Sequence, residues 1–398
     1  MEIESEKLIV EINDSEIKYA VFQLDEKSDY EILRKKISKN LGIQKGKIID
    51  ISNASNIVGQ DLEEIEKKLN KVFRNVSVVI DQEDILCTNL TGFKKLNGSK
   101  VEKRDLDYIL NEGKSSIIKN QRGNSILHIF NSNFILDKIK QEKIPLNISG
   151  DHLSLHMTFV SIPKNNLKNI TTLFANNDLK IERVINKPFA SGVDLLNKKK
   201  DLKNFIIINF DKELTNVSLY QNSSLIFLKT FPLGTNLIYR DVAQLCRLEA
   251  DEIQLIINEL DFNNFLDVKA TYLDEKFFKK SSFTRISIPH FKNIISARIE
   301  EITNYVFNKN KDLSSAENEV SHIHLSFEDK NIYKNLGTFF KKHINTEQGK
   351  KLCALSESDD FSALRGAAEL IFKGWRQEAI PFVNRKRSII SSFFSRFF

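Results

Sequence analysis

FIIINFDKELTNVSLYQNSSLIFLKTF, residues 205–231, is the stretch that decides the fold. From Phe205 to Phe210 every residue except Asn209 is apolar, the pattern of a strand covered on both faces. Residues 211–216 turn the chain, 217–221 supply a partner strand, and 225–231 a third that closes at Pro232-Leu233-Gly234. The chain opens in the same way. Leu8-Ile9-Val10-Glu11-Ile12 reads as a strand, Asn13-Asp14-Ser15 as a turn and 16–24 as a second strand. Two such beginnings, each with a turn at its first hairpin, predict a duplicated α/β architecture.

Around them, residues 29–40 fit a strand or a helix, and 48–51 a short strand. Leu62, Ile65, Leu69 and Val72 share one face of a helix over 61–73, with Asp61 at its start, and 76–80 is an apolar strand. The texture changes near residue 84. Residues 101–116 are amphipathic, 126–130 and 153–162 read as strands, 165–176 as a helix and 181–186 as a strand. Further on, 236–259 and 287–307 read as helices, 323–325 as a short strand and 332–342 as a helix. The small, apolar 363–372 suits close helix packing. Periodic repeats are missing, which argues against a solenoid.

The 398 residues suffice for two or more domains with substantial cores. The net charge of +6, from 59 Lys and Arg against 53 Asp and Glu, is mild and spread out. No groove-reading or stacking motif accompanies it, so nucleic acid is not an expected partner. Cys87, Cys246 and Cys353 are scattered and form neither a metal cluster nor a disulfide framework, which predicts a reducing cytosol. His128, His152 and His156 lack ligand-like spacing and read as half-buried strand or loop residues. The opening MEIESEKL lacks the basic start and apolar core of a signal peptide.

The final residues, RKRSIISSFFSRFF (385–398), have a different character. The pairs Ile389-Ile390, Phe393-Phe394 and Phe397-Phe398 recur every four residues and fall on one side of a helix, opposite Ser391, Ser392, Ser395 and Arg396. Phe382 and Val383 continue the pattern, and Pro381 suits a first-turn position. The face is far shorter than the roughly 20 apolar residues a spanning helix needs. It predicts a helix lying in the headgroup region, with Lys386, Arg387 and Arg396 near anionic lipid, rather than one docked on the protein's own core.

The chain resembles the bacterial cell-division protein family FtsA, of the actin-like ATPase superfamily. The resemblance rests on RGNSILHIFNSNFILD (122–137), Pro145 to Gly150, VINKPFASGV (184–193), the strands of 205–220, IISARIEEI (294–302) and the phenylalanine-rich tail. Their order and spacing are specific; none is so alone. The resemblance implies an actin-like two-domain fold with duplicated, ribonuclease H-like sheets, an inserted α+β subdomain and a C-terminal amphipathic helix. The expected boundaries are 1–83 and 165–200 for the first domain, 84–164 for the insertion and 201–372 for the second domain, with 236–316 its upper part. A linker over 373–384 and the membrane-targeting helix 385–398 would follow. It further implies a scaffold on the cytoplasmic side of the inner membrane at the division site. Such a scaffold tethers FtsZ filaments through the FtsZ C-terminal peptide, recruits later division proteins and self-associates into filaments.

ATP and Mg²⁺ are typical of the family, but the implied nucleotide positions depart from its pattern. The first phosphate hairpin, EIGTAK in the family, corresponds to Glu11-Ile12-Asn13-Asp14-Ser15, without the glycine. In the second, DIGGGTTD, the aspartates correspond to Asn209 and Asn216, the glycines to Asp211, Lys212 and Glu213, and a threonine to Leu214. The adenosine motif LTGGG corresponds to Leu325-Ser326-Phe327-Glu328-Asp329. Glycines serve there because backbone N–H groups must approach phosphate without intervening side chains. Asp211 and Glu213 would set carboxylates against a triphosphate, with Lys212 as the offsetting cation. The expectation is a degenerate cleft without catalysis. The alternatives are an active actin-like ATPase or sugar-kinase relative, or an actin-like chaperone, with MgATP in the cleft. Arg298 and Glu301, three apart on one helix face, are either an ordinary ion pair or, as the resemblance implies, contacts for the FtsZ peptide.

Overall fold

The computed structural model describes residues 6–14, 16–24, 29–141, 143–260, 262, 272–314, 320, 322–344, 352–357, 359–376 and 378–381. β1 (Glu6–Ile12), β2 (Glu16–Leu24) and β3 (Tyr30–Lys39) form an antiparallel meander. A small hairpin, β4 (Ile43–Gln44) and β5 (Lys47–Ile48), leads into α1 (Ile51–Leu69) and β6 (Asn75–Ile80). β7 (Leu86–Lys95), α2 (Lys103–Asn120), β8 (Asn124–Leu136), β9 (Ile139–Gln141) and β10 (His152–Pro163) come next. The chain continues through α3 (Lys164–Ala175), β11 (Lys180–Asn186) and α4 (Lys187–Lys198). The second beginning is β12 (Phe205–Phe210), β13 (Thr215–Gln221) and β14 (Ser224–Phe231). α5 (Asn236–Cys246), α6 (Ala250–Glu259), α7 (Ile288–Thr303), α8 (Lys311–Ser314), β15 (His322–Phe327), α9 (Lys330–His343) and β16 (Leu352–Glu357) follow. α10 (Ser362–Phe372) and β17 (Glu378–Pro381) complete the described chain.

Two five-stranded sheets share one strand order, β11-β6-β1-β2-β3 and β14-β13-β12-β15-β16. In each, the first strand of a beginning is central and the later strands lie parallel beside it: β6 on β1, then β11 on β6, and β15 on β12, then β16 on β15. This is the duplication that the two beginnings predict. Central parallel strands are covered on both faces, hence the apolar run Phe205 to Phe210, every residue of which is buried.

By contact density the described residues divide into two compact units, those within 1–203, 218–229 and 361–398, and those within 204–217 and 230–360. In the first unit, α1 and α3 bury Val58, Leu62, Ile65, Leu167, Ile170 and Phe174 against Val10, Tyr19 and Val78. α4 and α10 pack together, and a Cβ on Gly366 would stand 1.8 Å from the Ala190 carbonyl oxygen. The sheet of β17-β8-β10-β7, with β9 on β8, forms its own core, in which Ile109, Leu110 and Ile117 of α2 join Leu155, Met157 and Phe159 of β10. In the second unit α5 lies against α7, and α9 against β15 and β16.

Several elements differ from the sequence reading. α1 starts ten residues before Asp61, because the Asp50 side chain accepts from the Ser52 and Asn53 N–H groups, 3.1 and 3.0 Å, and caps it there. Asp61 is therefore buried mid-helix, and Val72 lies beyond the helix and is exposed. Residues 236–259 are two helices, broken where Arg247 adopts a positive φ of 54°. For residues 29–40, read as a strand or a helix, the strand reading holds, as β3.

Pro381 does not begin a helix. It ends β17, which pairs antiparallel with β8 through Glu378↔Phe130 and Pro381↔His128. A terminal position on a short strand tolerates a residue with no N–H to donate. His128 is wholly buried rather than half-buried. Its Nε2 accepts from the Asn186 N–H at 3.0 Å, so its Nδ1 carries the proton toward Glu378 Oε1, 2.6 Å away. Arg183 pairs with the other Glu378 oxygen and donates to the Leu370 carbonyl at 2.9 Å. Burial holds the His128 pKa below its ordinary value; Glu378 is held low although burial opposes it, because Arg183 and His128 favour its charged form.

Candidate functional site

Each implied phosphate hairpin is tied down by its own unit. In the first, Asn13 donates its N–H to the Glu16 carbonyl at 3.1 Å, and its side chain accepts from the Asp14 N–H at 2.7 Å. The Asn40 amide donates to the carbonyls of Asn13, Asp14 and Ile43, at 3.0, 2.8 and 2.9 Å. Asp14 Oδ1 accepts from the Gly46 N–H at 2.6 Å. Gly46 has φ +70°, and a Cβ there would stand 1.7 Å from the Asp81 carbonyl, so no side chain fits. Ser15 lies outside the described residues.

The second hairpin joins β12 to β13. Asn209 is paired in β12 with Ser326 of β15, and buried Asn216 accepts from Thr230 Oγ1 at 2.6 Å. Asp211 accepts at its carbonyl from the Thr235 N–H, 3.0 Å, and Lys212 likewise from Asn236, 2.9 Å. That approach requires Gly234, whose hypothetical Cβ would be 2.1 Å from the Lys212 carbonyl oxygen. Glu213 turns its carboxylate to the Asn236 amide, 2.8 Å, and to Arg240. Glu328 Oε2 accepts from the Lys212 N–H at 3.0 Å.

The implied adenosine stretch is a strand end with a helix cap. Ser326 and Phe327 are the last residues of β15, and Phe327 is buried with its ring 5.0 Å from Phe210 and 5.2 Å from Phe340. Asp329 caps α9, accepting from the Asn331 and Ile332 N–H groups at 2.8 and 3.1 Å. A triphosphate does not fit the second hairpin as it stands: its Lys212 N–H is taken by Glu328, and Glu213 and Asp329 are engaged with the chain itself. Among the described residues no group of three or more His, Cys, Asp or Glu could hold a metal ion.

Sequence reasoning missed Asn40, Gly46, Asn236 and Arg240. Gly42 and Gly46, both at positive φ beside Asn40, were the available signal for the first of these ties.

Arg298 and Glu301 do meet, at 2.5 Å, on α7. Arg298 is also bidentate to Asp241 of α5, with Nε 2.5 Å and a terminal nitrogen 2.9 Å from its two oxygens. Its guanidinium thus joins two helices, while the Glu301 side chain is the more exposed partner. Lys386, Arg387, Ile389, Ile390, Phe393, Phe394, Arg396, Phe397 and Phe398 lie outside the described residues. No helix among the described residues is long and apolar enough to cross a membrane.

Two sheets of one strand order, with a separate sheet inserted between β6 and α3, define an actin-like fold carrying an added subdomain. That subdomain, residues 82–161, matches the family model of the SHS2 domain inserted in FtsA. The resemblance to FtsA holds beyond it. The chain is 23% identical over 251 residues to the cell division protein FtsA of Borreliella burgdorferi, covering 62% of this chain and 60% of the relative. It is 22% identical over 207 residues to FtsA of Buchnera aphidicola subsp. Schizaphis graminum, covering 52% and 49%. The matched stretches thus span about half to three-fifths of these relatives. Among solved structures, a chain of the PilM-PilN type IV pilus biogenesis complex superposes with a TM-score of 0.59 at 10% identity. The superposition covers 91% of this chain and 90% of that one, a likeness of fold.

Proposed function

We propose that this chain is a cell-division scaffold of the FtsA type. It ties FtsZ filaments, through their C-terminal peptide, to the cytoplasmic face of the bacterial inner membrane at the division site. It recruits later division proteins and self-associates, and it does so without catalysis. The observation that carries the reading is the FtsA-type SHS2 domain at 82–161, seated within duplicated sheets of actin-like order. The basic and aromatic stretch 385–398 supplies the membrane contact, its phenylalanines entering the headgroup region and Lys386, Arg387 and Arg396 meeting anionic lipid. The tied hairpins support the absence of catalysis, because catalysis on a nucleotide needs donors free to meet its phosphates.

The α5–α7 surface takes the FtsZ peptide in this reading, with Arg298 setting the joint and Glu301 facing outward. Glu301→Lys, which keeps the Arg298–Asp241 contact, should change peptide affinity severalfold in fluorescence anisotropy at an unchanged melting temperature. Equal binding by parent and variant would remove this surface as the docking site.

A further inference from the structure

The hairpin between β12 and β13 carries an acidic side chain at its apex, brought from a distant part of the chain. Glu328 follows β15, which is hydrogen-bonded alongside β12. Its own N–H donates to the Phe210 carbonyl at 3.1 Å, which places residue 328 one step beyond the strand, beside the turn. From there Oε2 reaches the Lys212 N–H at 3.0 Å. A carboxylate on a backbone N–H at a turn is the arrangement by which chains hold anions. Here the anion belongs to the chain.

The neighbouring groups hold the turn in the shape that presents this N–H. Asp211 and Lys212 give their carbonyls to Thr235 and Asn236, and Gly234 permits that approach. The Glu213 carboxylate is held by Asn236 and Arg240. Asp329, the next residue, is held by the first turn of α9 and by the Tyr239 hydroxyl at 3.1 Å, which fixes the backbone that carries Glu328.

We infer that Glu328 is a built-in occupant of an anion position on this hairpin, standing where a phosphate oxygen would otherwise be accepted, so that the hairpin is closed to polyphosphates for as long as that carboxylate is in place. The inference goes beyond the scaffold reading, since it assigns the closure to one residue. The turn itself keeps the capacity to hold an anion.

Hydrogen exchange read by mass spectrometry over residues 209–216 of the full chain tests this, with sodium tripolyphosphate as the probe. In the parent, millimolar tripolyphosphate should leave exchange of this segment unchanged. Glu328→Ala should exchange on the order of tenfold faster there, the consequence of losing one hydrogen bond to a charged acceptor, and tripolyphosphate should restore the slow rate. Glu328→Gln, which keeps a neutral acceptor and the side-chain volume, should show the same behaviour in smaller measure and serves if the alanine variant does not fold. Three outcomes would overturn the inference: parent exchange slowed by the probe, variant exchange no faster than the parent, or faster exchange that the probe fails to slow. Peptide and vesicle binding do not enter this readout, so its failure is separable from failure of the scaffold reading.

Discussion

Replacing Glu378 by alanine would leave Arg183 buried without its carboxylate and His128 without its acceptor. Breaking one partner of a buried pair costs about 3–5 kcal/mol, so Glu378→Ala should lower the urea midpoint sharply and free β17 from β8. The same cluster sets a pH dependence. The folded pKa of His128 lies below the unfolded one. Its contribution is therefore complete above an unfolded pKa of about 6.5 and falls away as acid is added below that. Glu378 is also depressed in the folded state. Its share is kept above the ordinary carboxylate range and lost as the pH drops through that range toward the folded value. Urea midpoints should thus decline from pH 7.5 to 5.5, and His128→Gln, though less stable, should decline less over that interval. A parent profile that is flat across it would contradict the assignment of neutral His128.

Elements with a strong apolar pattern were legible in the sequence, and those ruled by a single polar contact were not. The strands of 205–231 and the small-residue helix α10 follow from composition alone, since burial on both faces and close helix approach each demand particular residues. The early start of α1 was hidden because its first turns, Ile51 to Gly59, are rich in Ser and Asn and their helical state depends on the Asp50 cap. β17 was hidden for a similar reason: four residues ending in proline carry no strand pattern, and Glu378 finds its partners roughly 195 and 250 positions away in the chain. At the hairpins the loss of glycines was readable, whereas the ties made by Asn40, Asn236 and Glu328 depend on folding. Gly366→Ala tests the packing of α10 on α4. The new methyl would press on the Ala190 carbonyl, and overpacking of this kind costs typically about 1–3 kcal/mol, which chemical denaturation would register. Arg298→Glu would set a third carboxylate beside Asp241 and Glu301 and should lower the melting temperature, so it reports on the α5–α7 joint rather than on a peptide contact alone.

Taken whole, the molecule has the duplicated sheets of an actin-like fold, and the turns of its two first hairpins are held by the chain's own side chains. A ligand that binds only the folded state stabilises it by about 2.7 kcal/mol at a hundredfold excess over Kd. Millimolar MgATP should therefore leave the melting curve where it is, and a rise of several degrees would contradict the nucleotide-independent reading. In the proposed scaffold role, bridging FtsZ to the membrane depends on the tail. Each fully buried phenylalanine contributes roughly 1.5–3 kcal/mol, so Phe394→Glu should remove one such contribution and add the cost of a charge at the membrane interface. The most direct measurement is co-sedimentation of FtsZ filaments with anionic vesicles in the presence of the full chain or its Phe394→Glu variant. The full chain should carry FtsZ into the vesicle pellet, and the variant, folded with an unchanged melting curve, should leave it in the supernatant. Equal pelleting of FtsZ with parent and variant, or none with either, would contradict a membrane-tethered FtsZ scaffold.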